Sequence, residues 1–191
     1  MVDPDSAMLS ALRAVVPGVP TLIGTAEALP LDSASFDSVL LGQAWHWVDP
    51  AAGCREIGRV LRPGGVLGLI WNLRDDSVPW VRRLNAILPD GTVQKMFAAG
   101  APPIAAPFGD LHERTWRWTR QLDRSGLGDM VRSRSHYITA APEQRATMDE
   151  NLERYFDELG LDRNPTVELP YVTRAYRALS ETDTSRMRSS Y

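Results

Sequence analysis

Cysteine is nearly absent from these 191 residues: Cys54 stands alone. One thiol excludes an internal disulfide framework and a multi-cysteine zinc or iron–sulfur site. On a helix, Cys54 reads as a small buried hydrophobe. An excess of basic charge is also missing. Twenty-one Lys and Arg face 24 Asp and Glu, a net charge of −3. That balance leaves no footprint for nucleic acid or an anionic membrane. No apolar run approaches the roughly 20 residues needed to span a bilayer. The N-terminus lacks the charged and apolar regions of a secretory signal. A reducing, cytoplasmic setting is the expectation. His112 and His136 have no companion at metal-ligand spacing, so no metal site is expected. There is no G-x-S-x-G nucleophile elbow. The lack of G-x-G-x-x-G speaks against a nicotinamide-linked oxidoreductase.

What is present is a chain with 43% hydrophobic residues, enough for one domain with a real core. Val2 and Asp3 read as the end of a strand. Pro4 turns the chain, and Met8, Leu9, Leu12, Val15 and Val16 form a helical stripe stopped by Pro17 and Gly18. A short strand follows at Val19 to Ile23. Phe36 to Gly42 has the continuous apolar character of a strand buried on both faces. Asp49 caps a helix with Pro50 at its first position, carrying Cys54, Ile57, Val60 and Leu61 inward. Arg62-Pro63-Gly64-Gly65 reverses the chain into a strand at Val66 to Trp71. This β-α-β alternation calls for a parallel sheet with its ligand at the carboxyl ends of the strands.

Beyond Asn72, helices are expected at Val78 to Leu88, Ser125 to Arg132 and Pro142 to Leu159. Strands are expected at Thr115 to Leu122, with Trp116 and Trp118 on one face, and at Thr166 to Ala178. The Ala-, Pro- and Gly-rich stretch from Gly91 to Asp110 reads as an irregular, mobile excursion. Residues 180–191 read as a flexible polar tail. No repeat and no linker interrupts the chain.

The stretches A-E-A-L-P-L, S-F-D-S-V-L-L-G-Q-A-W-H-W and R-V-L-R-P-G-G-V-L resemble class I S-adenosylmethionine-dependent methyltransferases, most closely the type 11 subgroup. The resemblance runs from Val2 to about Leu179. It implies an α/β fold, a Rossmann-like sheet with helices on both faces, with a core at 1–90 and an acceptor-side excursion and last strands at 91–179. It also implies methyl transfer from S-adenosylmethionine to an O, N or C atom of a small-molecule acceptor.

Residue by residue, Asp3 resembles the acidic residue whose carboxylate accepts from the cofactor's ribose hydroxyls. The other reading is an ordinary turn aspartate beside Pro4. Thr25, Ala26 and Glu27 fall in the loop that meets the adenine edge in the family. Many relatives carry Asp where Thr25 stands, and Glu27 otherwise reads as a charge at a helix start. Gln43 follows the fourth strand and resembles a ligand for the cofactor's amino or carboxylate group. Trp45 and Trp47 read either as walls of an apolar acceptor pocket facing a sulfonium or as core. His46 reads as a general base or as a structural histidine capping a loop. Trp80, Phe97, Phe108, Trp116 and Tyr137 lie in the elements that supply the acceptor pocket in such enzymes.

Family members begin with a strand and a D-x-G-x-G-x-G loop before the position of Asp3, and neither occurs in this sequence. Gly64-Gly65 precedes a strand and cannot replace that loop. The resemblance therefore implies an N-terminally truncated sheet and half a cofactor site. Two expectations follow: a start that lies upstream, or a sheet completed by a partner chain or a homo-oligomer. A catalytically inactive binding or regulatory partner is the alternative to an enzyme.

Overall fold

A computed structural model of the chain describes residues 1–87, 91–162 and 165–181. Its elements in chain order are β1 (Val2–Asp3), α1 (Ser6–Val15), β2 (Leu22–Ile23), β3 (Phe36–Gly42), a 3-10 turn (Trp45–Trp47), α2 (Pro50–Val60) and β4 (Leu61–Arg74). These are followed by α3 (Pro79–Ile87), α4 (Gly91–Ala98), β5 (His112–Leu122), α5 (Arg124–Arg132), α6 (Ser135–Thr139), α7 (Pro142–Glu158) and β6 (Val167–Leu179). The fold is α/β, as the motifs imply. β1 pairs with β2 in parallel, and β3 pairs with β4 in parallel. The strands form a two-stranded sheet, β1-β2, and a four-stranded sheet in the order β3-β4-β6-β5.

Local chemistry explains the boundaries. Asp5 caps α1 by accepting from the Ala7 N–H at 2.7 Å. Asp49 caps α2, accepting from Ala52 N at 2.7 Å, with Pro50 in the first turn. A proline there removes a donor that has no partner in the helix anyway. Asp123 caps α5 in the same way through Gly126 N. At α7, Gln144 Oε1 accepts from the Ala141 N–H at 3.1 Å, which satisfies one orphan donor at the helix start. Gly160 lies beyond the end of α7 at φ +70°, a conformation that costs glycine little.

The chain divides into two compact units. The first comprises Met1–Trp71, Ala101–Arg114 and Ala175–Tyr191; the second comprises Asn72–Gly100 and Thr115–Arg174. In the first unit, Trp45, Cys54, Ile57, Val60, Leu67, Leu69, Trp71, Tyr176 and Ala178 are buried. In the second, Val81, Leu84, Leu127, Val131, Leu152, Phe156 and Leu169 are sealed at the centre of one apolar cluster.

Several expectations change. Phe36–Gly42 is a strand as expected, but it is not buried on both faces: Phe36 is exposed and Leu40 is 66% exposed. Its backbone has one hydrogen-bonded neighbour, β4, among the described residues, and of its seven residues only Val39 and Leu41 are partly covered. The stripe on α1 is likewise open. Only Leu9 is buried, and Met8, Val15 and Val16 are exposed. The strand expected at Val66–Trp71 starts at Leu61 and runs to Arg74, because Leu61 already pairs with Phe36 across a bulge. The excursion at Gly91–Asp110 contains helix α4. The expected tail does not begin at Ser180: that residue is buried, bridges Phe108, and its N–H donates to Gly65 O at 2.9 Å. Residues 182–191 lie outside the described part.

Candidate cofactor site

The residues expected to hold the cofactor, Asp3, Thr25–Glu27 and Gln43–Trp47, belong to the first unit and stand at or just after the carboxyl ends of β1, β2 and β3. β1 and β2 run side by side, with Asp3 opposite Ile23, and Gly24 N–H donates to Asp3 O at 3.3 Å. Asp3 and the Gly24–Thr25 turn therefore leave the sheet together. Asp3 is half-buried, and its Oδ1 accepts from the Asp5 N–H at 2.8 Å. That bond orients the carboxylate. Asp3 makes no other side-chain bond to a described residue, so Oδ2 retains its capacity to accept hydroxyl donors.

Thr25 to Ala28 form a tight turn, with Ala28 N–H donating to Thr25 O at 3.2 Å. Thr25 is exposed, and Ala26 and Glu27 are half-buried. Glu27 Oε1 accepts from the Asp49 N–H at 3.0 Å. Glu27 thus ties the turn to the start of α2, where an acidic side chain also suits the helix dipole.

Two residues of α2, Glu56 and Arg59, hold the chain that follows this turn. Arg59 Nη1 donates to Leu31 O and to Ser33 Oγ, and Arg59 Nη2 donates to Leu29 O. Glu56 Oε1 accepts from the Leu29 N–H at 2.8 Å and pairs with Arg59 Nη2 at 2.7 Å. The Arg59 guanidinium holds the Glu56 carboxyl below its usual range. Glu56 and Arg59 are three apart on α2, so they share a face, and that spacing was the available signal. Their targets were not: nothing in the sequence marks the Leu29 N–H as the donor to Glu56, or the carbonyls of Leu29 and Leu31 as the acceptors of Arg59.

The chain leaves β3 through Gln43, which has φ +54°. A non-glycine residue in this region is uncommon and often marks a functional turn. Its N–H donates to Ile70 O at 2.8 Å, which fixes the turn against β4. Gln43 is exposed. The 3-10 turn then sends its two tryptophans in opposite directions. Trp45 is 1% exposed, and its Nε1–H donates to Pro103 O at 2.9 Å. It is a core residue, with α2 packed directly over it at Gly53. Trp47 is 67% exposed and lies against the His46 ring, centroids 4.9 Å apart. His46 is half-buried, and its Nδ1 accepts from Trp71 Nε1 at 3.4 Å.

Cys54 is fully buried on α2, and burial pushes its thiol pKa upward. His112 and His136 are exposed. Among the described residues no group of three or more His, Cys, Asp or Glu could hold a metal ion. None of the described helices is long and apolar enough to cross a membrane.

The aromatic residues expected around an acceptor have varied places. Phe108 is buried in the first unit. In the second unit, Trp80 packs against the core, and the Arg174 guanidinium lies 4.5 Å from the Phe97 ring centroid. Tyr137 OH donates to Asp149 Oδ2 at 2.7 Å, and Trp116 is exposed. Trp118 stacks on Tyr171 at 4.6 Å and donates to Thr173 Oγ1 at 2.9 Å.

Asp3, the Thr25–Glu27 turn and the Gln43–Trp47 segment are the parts that hold ribose, adenine and the methionine side of S-adenosylmethionine in enzymes of the family they resemble. Comparison with known proteins bears on the family. Residues 1–69 match the family model of a methyltransferase domain. An uncharacterized methyltransferase of Mycobacterium tuberculosis is 42% identical over 179 residues, covering 93% of this chain and 72% of that protein. One from Schizosaccharomyces pombe is 45% identical over 179 residues, covering 92% of this chain and 71% of that protein. The solved structure of a proposed type II methyltransferase from Anaeromyxobacter dehalogenans has a TM-score of 0.54 at 22% identity, covering 94% of this chain and 78% of that one; it shares the fold. The chain therefore belongs to the class I S-adenosylmethionine-dependent methyltransferases, type 11 subgroup.

Proposed function

We propose that this chain takes S-adenosylmethionine as methyl donor and transfers the methyl group to an O, N or C atom of a small-molecule acceptor. The observation that carries the reading is the alignment of Asp3, Thr25–Glu27 and Gln43–Trp47 beyond the carboxyl ends of β1, β2 and β3. When bound, the cofactor supplies a methyl group already activated by the positive sulfonium. The protein's task is then to hold donor and acceptor in line and keep water out. Asp3 would accept from the ribose hydroxyls through Oδ2. Thr25 and Ala26 would border the adenine, with Glu27 bracing the turn. Gln43 would meet the amino or carboxylate group of the methionine part. Trp47, the exposed tryptophan, offers an aromatic face for a cation or an acceptor.

The acceptor is read as a small molecule because the net charge of −3 does not favour a polyanion. A cytoplasmic location agrees with the single buried thiol. β1 and β3 each have one hydrogen-bonded neighbour among the described residues, and both β2 and β3 carry exposed apolar side chains. A homo-oligomeric contact or a partner strand that completes the sheet is part of the reading for that reason. Isothermal titration of the purified chain with S-adenosylhomocysteine tests the site. Binding with a Kd on the order of micromolar is expected, which corresponds to about −8 kcal/mol. A folded sample that gives no heat with either S-adenosylhomocysteine or S-adenosylmethionine refutes it.

A further inference from the structure

The stretch from Ala101 to Gly109 has no helix or strand of its own, yet it is fastened repeatedly within the first unit. Pro103 O accepts from the Trp45 Nε1–H at 2.9 Å, and the Ala105 N–H donates to Cys54 Sγ at 3.3 Å. Pro107 lies against Gly58, where an added Cβ would come within 2.4 Å of Pro107 Cγ. The Pro107 carbonyl accepts from the Glu181 N–H at 2.8 Å, and Phe108 bridges Ser180. Gly53, Cys54 and Gly58 of α2 are all small, so the Trp45 ring and this stretch both sit close against the helix. The stretch is a strap across α2, tied at one end to the residues after β6 and at the other to the Trp45 indole.

We propose that Pro103 is a positioning residue for the Gln43–Trp47 turn: its carbonyl, held in place by the strap, fixes the Trp45 indole and so sets the cofactor affinity of the turn. The inference rests on the cofactor-site reading for what the turn holds, and on the strap contacts for how the turn is held. A buried indole N–H needs an acceptor, and leaving it without one forfeits its hydration with nothing in return. Here the acceptor comes from a residue 58 positions along the chain. Trp45 also opens the 3-10 turn: its carbonyl accepts from the Val48 N–H at 3.1 Å, and Ala44 O accepts from the Trp47 N–H at 3.0 Å. Gln43 stands two residues before Trp45 and Trp47 two after, so a shift of the indole is carried along the backbone to both. The Gln43 N–H is tied to Ile70 O at 2.8 Å, which anchors the turn at one end; the strap anchors it at the other. Gln43 has φ +54°, a sparsely populated conformation that persists where its surroundings determine it, and two anchors supply that constraint.

The Pro103 carbonyl is backbone, so the test acts on the groups at its two sides. Trp45→Phe keeps a ring but removes the donor, and Cys54→Ala removes the acceptor that holds the strap at Ala105. Both full-length variants are compared with the wild type by amide hydrogen exchange without ligand and by titration with S-adenosylhomocysteine. The Trp47 and Val48 amides are expected to exchange several-fold faster in each variant, while the Leu9 amide, bonded to Asp5 O in α1, changes little. S-adenosylhomocysteine is expected to bind roughly three- to tenfold more weakly. Unchanged exchange at Trp47 and Val48 in folded Trp45→Phe overturns the proposal. A rise in exchange shared equally by Leu9 overturns it too, since the bond would then serve global stability alone. Unchanged affinity in the variants, beside a wild type that binds, has the same force. If Trp45→Phe fails to fold, Cys54→Ala decides by the same criteria. If the wild type itself does not bind S-adenosylhomocysteine, the cofactor-site reading is refuted, and the exchange rates alone decide whether the strap holds the turn.

Discussion

Asp3, proposed above to hold the cofactor's ribose, has one carboxylate oxygen fixed by the backbone. Oδ1 is tethered to the Asp5 N–H at 2.8 Å, so the carboxylate is oriented while Oδ2 stays available. Asp3→Asn keeps the tether and removes the charge. Hydrogen bonds to a charged group contribute about 1.5–3 kcal/mol. The variant is therefore expected to bind S-adenosylhomocysteine roughly ten- to a hundredfold more weakly by calorimetry, with an unaltered circular dichroism spectrum. Gly53 decides a different matter. A Cβ added there would lie 2.4 Å from Val48 Cγ1 and 3.3 Å from Trp45 Cζ3. Overpacking of this kind costs about 1–3 kcal/mol, against a helix-propensity gain of about 1 kcal/mol. Gly53→Ala is expected to lower the urea midpoint despite sitting in a helix; a raised midpoint would mean that Val48 yields by changing rotamer.

At the scale of elements, α2 organises the loop between β2 and β3. Its capping residue Asp49 contributes its own N–H to Glu27, while Glu56 and Arg59 clasp residues 29–33 from the helix side. Because the Glu56 carboxyl lies below its ordinary value of 4.5 in the folded chain, folding favours its ionised form. The stabilisation is present above that ordinary value and is lost as pH falls through the lower, folded-state value. Thermal melts between pH 6 and 3 are expected to show a loss of Tm that is smaller in Glu56→Gln, which has already lost the ion pair. Equal slopes in the two proteins would show that Glu56 does not carry the acid sensitivity. Turns and caps such as Asp49-Pro50 were legible in the sequence because they depend on residues a few positions apart. The clasp from Arg59 to the carbonyl of Leu31 was not, since it joins positions 28 apart and is aimed at backbone, which every residue has.

At the scale of the whole molecule, the distribution of exposed apolar surface is the main consequence of the strand order. Leu40 is 66% exposed on β3, the end strand of its sheet, and its side chain spreads over Gly68 of β4. A strand with an open edge and apolar side chains is a template for association. Leu40→Lys is expected to reduce concentration-dependent self-association, read as a smaller rise in mass by light scattering across a dilution series, with the melting temperature changed by only a few degrees. An unchanged mass profile would place any self-contact elsewhere.

The strand Phe36–Gly42, helix Pro50–Val60 and the carboxyl-end position of Gln43 to Trp47 were determined by the sequence itself. Periodicity, a proline at a helix start and an aspartate before it act locally, and the local chain carries all the information they need. What only the tertiary structure decided is the fate of individual side chains within those segments. Nothing in W-H-W says that Trp45 goes to the core while Trp47 stays in solvent. Gly53 on α2 makes room for one ring, and Pro103 supplies its acceptor. Nor does the sequence say that His46 faces an indole 25 residues away instead of water. Burial and hydrogen-bond partners depend on neighbours brought together by folding, and a one-dimensional pattern cannot specify which neighbour that will be.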